Sequence, residues 1–407
     1  MRLPAARLEE AVSLAQAIAL VVVESCLVPL PAIRPATYMG SGKVEELGQL
    51  IAARGIALVV MDCDLSPGQQ RNLERAWSVK VIDRTGLILE IFGERAQTRE
   101  GRLQVELAHL TYQKSRLVRS WTHLERQRGG FGFLGGPGET QIEADRRMID
   151  ERIARIRKAL KTVVRTRDLH RKARKAVPYP VVALVGYTNA GKSTLFNRLT
   201  HADVMAEDML FATLDPTMRG LRLPSGRKVI LSDTVGFVSH LPTQLIAAFR
   251  ATLEEVTEAD IVVHVRDIAH PETDAQRGDV IKVLGDIGVE DRADKPVIEA
   301  LNKIDLLDAD SRNEMVERSR RLPGKIALSA ASGEGVDRLL AALDEELARR
   351  GVTRKIKLSH SDGPAIAWLY RHGDVLERHD RATAVHLSVR LNDVDWQRFT
   401  KTHGHAV

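Results

Sequence analysis

The stretch PVVALVGYTNAGKST, residues 180–194, joins an apolar run to a glycine-containing loop and the start of a helical pattern. The loop satisfies G-x-x-x-x-G-K-[S/T], in which Gly186 and Gly191 let the backbone wrap around phosphate oxygens. Lys192 is expected to reach the β- and γ-phosphates of a nucleotide, and Ser193 to bind Mg²⁺. The pattern alone also occurs by chance. Its place between a strand and a helix favours a phosphate-binding loop.

Two further loops are expected to complete the phosphate and magnesium site. SDTVG (232–236) ends the next apolar strand, so Asp233 is placed to hold Mg²⁺ through water and Gly236 to offer its N–H to a γ-phosphate. Thr213, in FATLDPT (211–217), lies between the two motifs in sequence. Its hydroxyl could complete the Mg²⁺ shell only while the γ-phosphate is present, which would make this loop a switch.

NKID (302–305) follows the apolar run VIEAL and is expected to select the base. The Asp305 carboxylate can accept hydrogen bonds from guanine N1–H and from the guanine amine, whereas adenine offers no such pair of donors. Asn302 would tie this loop to the phosphate loop, and the Lys303 stem would cover the base. Ser329-Ala330 follows the last predicted strand, where backbone N–H groups could meet the guanine oxygen. NKID alone could be a surface charge cluster, but the ordered set of motifs predicts a guanine-nucleotide site.

These motifs lie at the ends of apolar runs at 181–185, 229–231, 261–265, 297–301 and 325–328, most of them separated by helical patterns. The alternation predicts an α/β fold with a doubly wound, mostly parallel sheet. Together with the ordered motifs at the strand ends, it predicts a P-loop GTPase domain. We assign catalytic roles to Lys192, Thr213 and Gly236 and metal binding to Ser193, Thr213 and Asp233. The residues predicted to bind the nucleotide are Gly186, Tyr187, Thr188, Asn189, Ala190, Gly191, Lys192, Ser193, Thr194, Phe211, Ala212, Thr213, Leu214, Asp215, Asp233, Thr234, Val235, Gly236, Asn302, Lys303, Ile304, Asp305, Ser329, Ala330 and Ala331.

The composition is that of a folded protein with 44% apolar and 28% charged residues in 407. Two cysteines, Cys26 and Cys63, make no disulfide framework, which favours a cytosolic location. No apolar run approaches the roughly 18 residues of a membrane span. Glu9 and Glu10 precede the longest early apolar run and no small-residue cleavage site follows it, so a signal peptide is not expected.

The basic charge is confined to one segment of the chain. Residues 97–175 hold 20 Lys and Arg against 9 Asp and Glu, a net +11, so the other residues carry −5 of the total +6. A basic stripe of this kind is typical of a polyanion-binding surface. A solvated helix face would have the same composition, and charge alone does not separate the two.

We predict four domains. An α/β domain spans residues 1–95, a helical hairpin 96–177 with a glycine-rich tip at 129–138, a G domain 178–350, and a small α+β domain 351–407. Pro178 and Pro180 mark the start of the G domain.

Within the first domain, short runs rich in Val and Ile predict strands at Ile18–Val23, Ala57–Met61 and Lys80–Ile82. Helical patterns at Lys43–Arg54 and Ser66–Ala76 alternate with these runs. The alternation favours a βαβ arrangement.

The last domain has one clear strand pattern, in which Val385, Leu387, Val389 and Leu391 alternate with polar residues. Helical patterns at 362–372 and 392–402 flank it. We detect no chemistry in this domain.

The hairpin is predicted from apolar residues at heptad-like gaps in 97–126 and 139–175, which form seams suited to each other. Its tip, within RGGFGFLGGPGET (128–140), holds six glycines and the rings of Phe131 and Phe133. We expect a flexible, ring-bearing tip to contact unpaired RNA bases. A tip used for dimerisation and a loop without a partner are the alternatives. The predicted RNA-contacting residues are Arg126, Arg128, Phe131 and Phe133.

The chain resembles the HflX GTPases, of the Obg-HflX group of translation-factor-related P-loop GTPases, over nearly its whole length. The resemblance is weakest at residues 1–15 and from 351 onward. The segments that carry it are TYMGSGKVEEL (37–47), DLSPGQQRNLE (64–74), VIDRTGLILEIF (81–92), LQVELAHLTYQ (103–113), GGFGFLGGPGETQIE (129–143) and LFATLDPT (210–217).

The resemblance implies a cytosolic, Mg²⁺-dependent enzyme with GTP as substrate that binds the large (50S) ribosomal subunit. There it would split or rescue stalled ribosomes under stress, with residues 1–175 docked on ribosomal RNA. We expect a monomer that binds no DNA and makes at most peripheral contact with membranes. The alternatives are a regulatory G protein whose basic hairpin binds another partner or an acidic membrane, and a protein that self-associates through the hairpin. Narrow apolar seams disfavour lipid binding.

Phe237 stands directly after D-x-x-G, where many GTPases carry a glutamine that orients the attacking water. Phenylalanine has no hydrogen-bonding group, so we predict slow intrinsic hydrolysis that a partner or a monovalent cation must assist. Asn189 matches the phosphate-loop asparagine of K⁺-activated relatives, which makes K⁺ stimulation a hypothesis. Asn189 would equally suit the turn on its own.

GSGK (40–43) lacks the phosphate-loop spacing, which favours a turn into a helix. Some relatives are reported to bind ATP in this region. A second nucleotide site there stays open at this point.

Overall fold

The computed structural model describes residues 3–127, 137–175, 179–201, 211, 217–239, 255–289, 296–349, 351–381, 384–391 and 393–404. At 118–127, 137–142, 164–175, 374 and 393–394 only the backbone is described. Several predicted site residues lie outside these limits: Arg128, Phe131, Phe133, Ala212, Thr213, Leu214 and Asp215 entirely, and Arg126 in its side chain.

The N-terminal unit packs four helices around a small parallel sheet. The helices are α1 (Pro4–Gln16), α2 (Ser41–Arg54), α3 (Pro67–Trp77) and α4 (Arg84–Arg95), and the strands are β1 (Leu58–Met61) and β2 (Lys80–Asp83), paired in parallel. The predicted start of α3 is confirmed. The Ser66 hydroxyl accepts from the Gln69 N–H at 3.2 Å, and the Gln69 side chain accepts from the Ser66 N–H at 2.9 Å, a capping box.

The predicted strand at Ile18–Val23 is wrong. Helix α1 ends at Gln16, Ala19 turns the chain at φ 55°, and residues 20–30 form no regular structure. The Leu20 N–H bonds to the Ala15 carbonyl at 3.3 Å, which completes the helix end, and Val21 is 88% exposed. A short apolar run can end a helix as well as form a strand, and its composition does not distinguish the two.

The GSGK segment forms the start of α2, as the favoured interpretation predicted. Gly40 precedes the helix in extended conformation, and the Lys43 ammonium pairs with Glu46 at 2.6 Å on the outer face. The lysine therefore points to a neighbouring carboxylate rather than into a phosphate-binding loop.

The predicted hairpin consists of α5 (Arg99–Gln127) and α6 (Pro137–Lys175). Ile153 and Ile156 of α6 are buried, and Lys114 forms an ion pair with Asp150 across the two helices. On α5, Val105 and Ala108 are buried in the same apolar cluster as α4. The hairpin is therefore packed onto the N-terminal unit at its base.

The G domain contains a six-stranded sheet in the order β4-β5-β3-β6-β7-β8. All neighbours are parallel except β4, which is antiparallel to β5 and was not predicted because TMRGLR has no apolar run. The strands are β3 (Val181–Gly186), β4 (Thr217–Arg222), β5 (Lys228–Asp233), β6 (Ile261–Asp267), β7 (Val297–Asn302) and β8 (Lys325–Ala327). Its helices include α7 (Lys192–Thr200), α8 (Thr273–Asp286), α9 (Ala309–Arg321) and α10 (Val336–Arg349).

The two faces of this sheet have different partners. One face packs against α7 and α10, through side chains such as Phe196 and Leu343. The other face, which includes Val185, belongs to one continuous apolar cluster with α8 and with residues of the N-terminal unit such as Phe92. The N-terminal unit and the G domain therefore share a core, and this shared core lies next to the phosphate loop.

The C-terminal unit is a three-stranded antiparallel sheet in the order β10-β11-β9 with two helices packed on one face. Its elements are β9 (Val352–Leu358), α11 (Gly363–His372), β10 (Asp374–Arg381), β11 (Ala384–Leu391) and α12 (Asp393–His403). The predicted strand and both predicted helices are confirmed, while β9 and β10 were missed. Among the helices described, none combines the length and apolarity needed to cross a membrane.

Candidate functional site

The phosphate loop connects β3 to α7, and two of its positions accept only glycine. A Cβ on Gly186 would lie 2.2 Å from the Val265 carbonyl oxygen of the neighbouring strand. A Cβ on Gly191 would lie 2.2 Å from the Asn302 amide nitrogen, and the residue has a φ of +89°. Both glycines are therefore required by the atoms packed against them, as well as by the phosphate contacts expected of this loop.

Lys192 points back across the loop that precedes it. Its ammonium donates to the Gly186 carbonyl at 3.2 Å and to the Tyr187 carbonyl at 2.9 Å. The side chain is buried, and burial lowers the pKa of Lys192 to about 8, although the nearby Asp233 carboxylate opposes this shift. The two loop carbonyls thus hold the Lys192 ammonium in place, where the negative phosphates of a nucleotide would stabilise its charge.

Nucleotide affinity is expected to fall as the pH rises above about 8. In that range the nucleotide-free protein loses the Lys192 proton, because the pKa lies near 8. In the nucleotide complex, the negative phosphates keep Lys192 protonated. Each further pH unit should weaken GDP binding by up to roughly tenfold, since binding then requires uptake of one proton. Fluorescent-GDP titrations between pH 7 and 9, below the range in which guanine N1–H itself ionises, measure the slope. Lys192→Arg keeps its charge and should give a flat profile; an equal slope in both proteins contradicts the assignment.

Ser193 and Asp233 lie together at the mouth of the loop. The Ser193 hydroxyl donates to Asp233 Oδ2 at 2.7 Å, and Asp233 is fully buried at the end of β5. Both offer oxygen ligands, the class that Mg²⁺ prefers. The donor set therefore fits a magnesium ion, which Ser193 and Asp233 would hold when a nucleotide is bound.

The segment after Asp233 lies across the phosphate loop. Phe237 donates its N–H to the Gly186 carbonyl at 3.0 Å and accepts from the Thr188 N–H at 2.7 Å. A Cβ on Gly236 would lie 2.9 Å from Thr188 Cα and 3.1 Å from the Lys192 ammonium, so Gly236 lies directly against the phosphate loop. The Phe237 ring is buried and points away from solvent.

The base-recognition loop is tied to the phosphate loop through Asn302. Its amide donates to the Ala190 carbonyl at 2.8 Å, and its carbonyl oxygen accepts from the Ala330 N–H at 2.9 Å. Lys303 adopts a φ of 67° and pairs with Asp267 at 2.8 Å, while the Asp305 side chain is exposed. Two predicted loops are thus joined by one side chain, as the NKID motif led us to expect.

Some predicted nucleotide-binding residues have other environments. Ile304 is fully buried in a small apolar cluster with Leu301 and Ala327, which leaves only its backbone toward the loop. Phe211, at the start of FATLDPT, is buried with its ring edge-on to Phe92, the ring centroids 4.7 Å apart. Thr213 lies outside the described residues, so its placement stays a prediction.

Comparison with known proteins identifies the family. Four family models match successive parts of the chain: the GTP-binding GTPase N-terminal region (5–93), the GTP-binding GTPase middle region (95–174), a 50S ribosome-binding GTPase domain (181–303) and the HflX C-terminal domain (314–406). The GTPase HflX of Magnetococcus marinus is 51% identical over 91% of this chain and 84% of its own length. The chain belongs to the HflX GTPase family.

A further HflX relative agrees with this assignment. The GTPase HflX of Escherichia coli is 45% identical over 90% of the chain and 85% of its own length. A solved GTP-binding protein from Sulfolobus solfataricus, in complex with GDP, is 24% identical, covers 84% of the chain and 95% of its own length, and has a TM-score of 0.45. As a member of the HflX family, the protein is a GTP-binding enzyme that hydrolyses GTP.

This HflX family member also has a polar cluster that the sequence did not reveal. We call Glu10, Arg84, Tyr187 and Ser239 the interdomain cluster, since the first two belong to the N-terminal unit and the others to the G domain. The Glu10 carboxylate accepts from Arg84, from the Tyr187 hydroxyl and from Ser239 Oγ, the last at 2.8 Å. Arg84 also donates to the Ser239 carbonyl at 3.1 Å, and the Ser239 N–H donates to the Tyr187 oxygen at 2.8 Å.

The charges in the interdomain cluster compensate one another. Burial would raise the pKa of Glu10, but the Arg84 guanidinium and the hydrogen bonds from Tyr187 and Ser239 lower it more, so the net pKa lies below its ordinary value. Glu10 therefore remains ionised inside the protein. One signal was present in the sequence, because a tyrosine within a phosphate loop brings a hydroxyl that must find a partner when it is buried.

Proposed function

We propose that this GTPase binds the large ribosomal subunit through residues 1–175 in the cytoplasm and there splits or rescues stalled ribosomes, with hydrolysis releasing it. The family model for residues 181–303 describes a 50S ribosome-binding GTPase. The observation that carries the proposal is the shared core. Residues flanking both nucleotide-sensing loops, Phe211 and Phe237, are buried in one cluster with Phe92 of the N-terminal unit. A change of bound nucleotide can therefore alter the packing of the N-terminal unit, which belongs to the part of the chain that would contact RNA.

The charge of the hairpin supports RNA as the partner. The described part of α6 carries exposed cations that point to solvent: Arg146, Arg147, Arg155, Arg157, Lys158 and Lys161. Cations on a rod can neutralise several phosphates at once, and such binding weakens steeply as salt increases. We keep Arg126, Arg128, Phe131 and Phe133 as the proposed contacts of the tip.

We propose that Ser193 and Asp233 hold Mg²⁺, with Thr213 completing the shell in the GTP state. When bound, the ion neutralises charge on the β- and γ-phosphates. The chain contributes the Lys192 ammonium toward the same phosphates and the Gly236 N–H toward the γ-phosphate. Phe237 supplies no group that could orient water, so intrinsic hydrolysis should be slow.

K⁺ stimulation is part of the proposal only as a hypothesis about Asn189. This residue has a φ of 59°, a conformation that asparagine tolerates better than most residues, so the turn alone accounts for its presence. Equal GTPase rates in K⁺ and in Na⁺ would rule out a catalytic role for the cation.

The decisive experiment is GTP hydrolysis with and without purified large subunits. We expect at least tens-fold stimulation, falling steeply with salt because many phosphate contacts are lost together. Replacing residues 129–138 by a short Gly-Ser linker should strongly reduce stimulation while leaving GDP affinity unchanged. Liposomes of acidic lipid serve as the second arm. Stimulation by liposomes and not by subunits would favour a membrane-linked regulatory G protein instead.

A further inference from the structure

Arg198 lies on α7, two turns beyond the phosphate-loop lysine, and its guanidinium reaches the loop that follows β8. Nε donates to the Ala330 carbonyl at 2.5 Å, and Nη2 donates to the Ala331 carbonyl. One planar fork therefore holds two consecutive peptide groups. A hydrogen bond from a charged guanidinium is stronger than one between neutral groups, so this contact can fix the orientation of both peptides.

The orientation of the first peptide decides where its N–H points. In a trans peptide the carbonyl and the N–H point in opposite directions. Because the Ala330 carbonyl faces Arg198, the N–H of the same peptide, which belongs to Ala331, faces away from α7. No hydrogen bond within the described part of the chain uses this N–H.

The preceding N–H is committed elsewhere. The Ala330 N–H donates to Asn302 at 2.9 Å, the same side chain that connects the base-recognition loop to the phosphate loop. Of the two alanine N–H groups that follow Ser329, the Ala331 N–H is the one that the described residues leave available.

The surrounding loop is shaped to admit the guanidinium. Gly333 has a φ of +93°, and a Cβ at this position would lie 2.8 Å from Arg198 Nη1. The loop is also closed by backbone bonds from the Gly333 N–H to the Ser329 carbonyl and from the Ser329 N–H to the Glu334 carbonyl, both 2.9 Å. Arg198 thus lies against a loop that its own backbone hydrogen bonds close.

We propose that Arg198 is a positioning residue for guanine recognition: it aims the Ala331 N–H at the 6-oxo group of the base. The proposal rests on the guanine site formed with Asp305. The carbonyl-bound guanidinium also polarises the Ala330–Ala331 peptide, which strengthens its N–H as a donor. Arg198 itself touches no part of the nucleotide.

The test compares two affinity ratios in full-length protein. The ratio of GDP to 6-thio-GDP affinity reports recognition of the oxygen, because sulfur is a weaker acceptor. The ratio of GDP to IDP affinity reports recognition of the 2-amino group by Asp305. In Arg198→Ala the first ratio should fall about tenfold toward one, which corresponds to the loss of one hydrogen bond. The second ratio should stay within twofold of the wild-type value.

Two further variants define the interpretation. Arg198→Lys keeps one donor and should recover part of the oxygen ratio, while Arg320→Ala, an exposed arginine on α9 paired with Glu317, should change neither ratio. An unchanged oxygen ratio in Arg198→Ala, or an equal fall of both ratios, overturns the proposal. A wild-type protein that binds GDP no better than ADP would instead refute the guanine site itself.

Discussion

Replacing Asp305 by asparagine is expected to lower GTP affinity by roughly 100- to 10,000-fold and to make xanthosine triphosphate the better ligand. The Asp305 carboxylate is exposed in the open base loop, next to the tether formed by Asn302. It would accept two charge-assisted hydrogen bonds from guanine, each worth about 1.5–3 kcal/mol. In Asp305→Asn, the NH₂ group of the asparagine is a donor and would face one of the two guanine donors instead of accepting from it. Xanthine has an oxygen in place of the amine and suits the amide.

Equilibrium titration of Asp305→Asn with GTP, XTP and ATP measures the change directly. Asp310→Asn, an exposed carboxylate in the first turn of α9, removes the same charge outside the base loop and should leave GTP affinity within twofold. Wild-type-like GTP binding by Asp305→Asn would show that another group recognises the base.

Replacing Arg84 by alanine is expected to lower the free energy of unfolding by about 3–5 kcal/mol. The guanidinium is 6% exposed and lies between the Glu10 carboxylate, itself 11% exposed, and Asp62. Its removal leaves buried negative charge without its cation, which costs far more than an exposed ion pair is worth. Urea unfolding followed by fluorescence, with Trp77 buried in the N-terminal unit, measures the loss.

Arg7 provides the matched control, because it also pairs with Asp62 but is 43% exposed. Arg7→Ala should cost no more than about 1 kcal/mol, as exposed ion pairs do. The Arg84 effect should also depend on pH. Glu10 has a lowered pKa, so its stabilising contribution is complete above the ordinary carboxyl pKa and disappears as the pH falls through the lowered value. Equal losses for the two arginines would contradict a buried charge cluster.

The sequence predicted the G domain well because its signals are local. Gly186, Gly191 and Lys192 occur in a fixed spacing that indicates a phosphate loop when it lies between a strand and a helix, and the strands around them are short apolar runs. The same reasoning failed at Ile18–Val23, where an apolar run ends a helix instead. It also missed β9 and β10, whose charged, exposed residues show no apolar run. These segments form strands because each pairs with one edge of β11.

Contacts between distant parts of the chain left little trace in the sequence. Glu10 and Tyr187 are 177 residues apart, and the local sequence around each residue does not indicate that the two are in contact. Arg198 lies in an ordinary helix, 132 residues before the Ala330 carbonyl that it binds. Such pairs become visible only when the fold has brought the elements together, so the interdomain cluster and the support of the base loop required the structure.

The shared core has a practical consequence for anyone who wishes to work with the G domain alone. Cutting the chain before residue 179 would remove the Phe92 ring from Phe211, now 2% exposed, and the Glu10 carboxylate from the Tyr187 hydroxyl. The fragment would expose an apolar surface beside its own catalytic loop, which would make it prone to aggregation. Polar substitutions on that surface would be needed before the solution behaviour of the fragment could represent that of the intact enzyme.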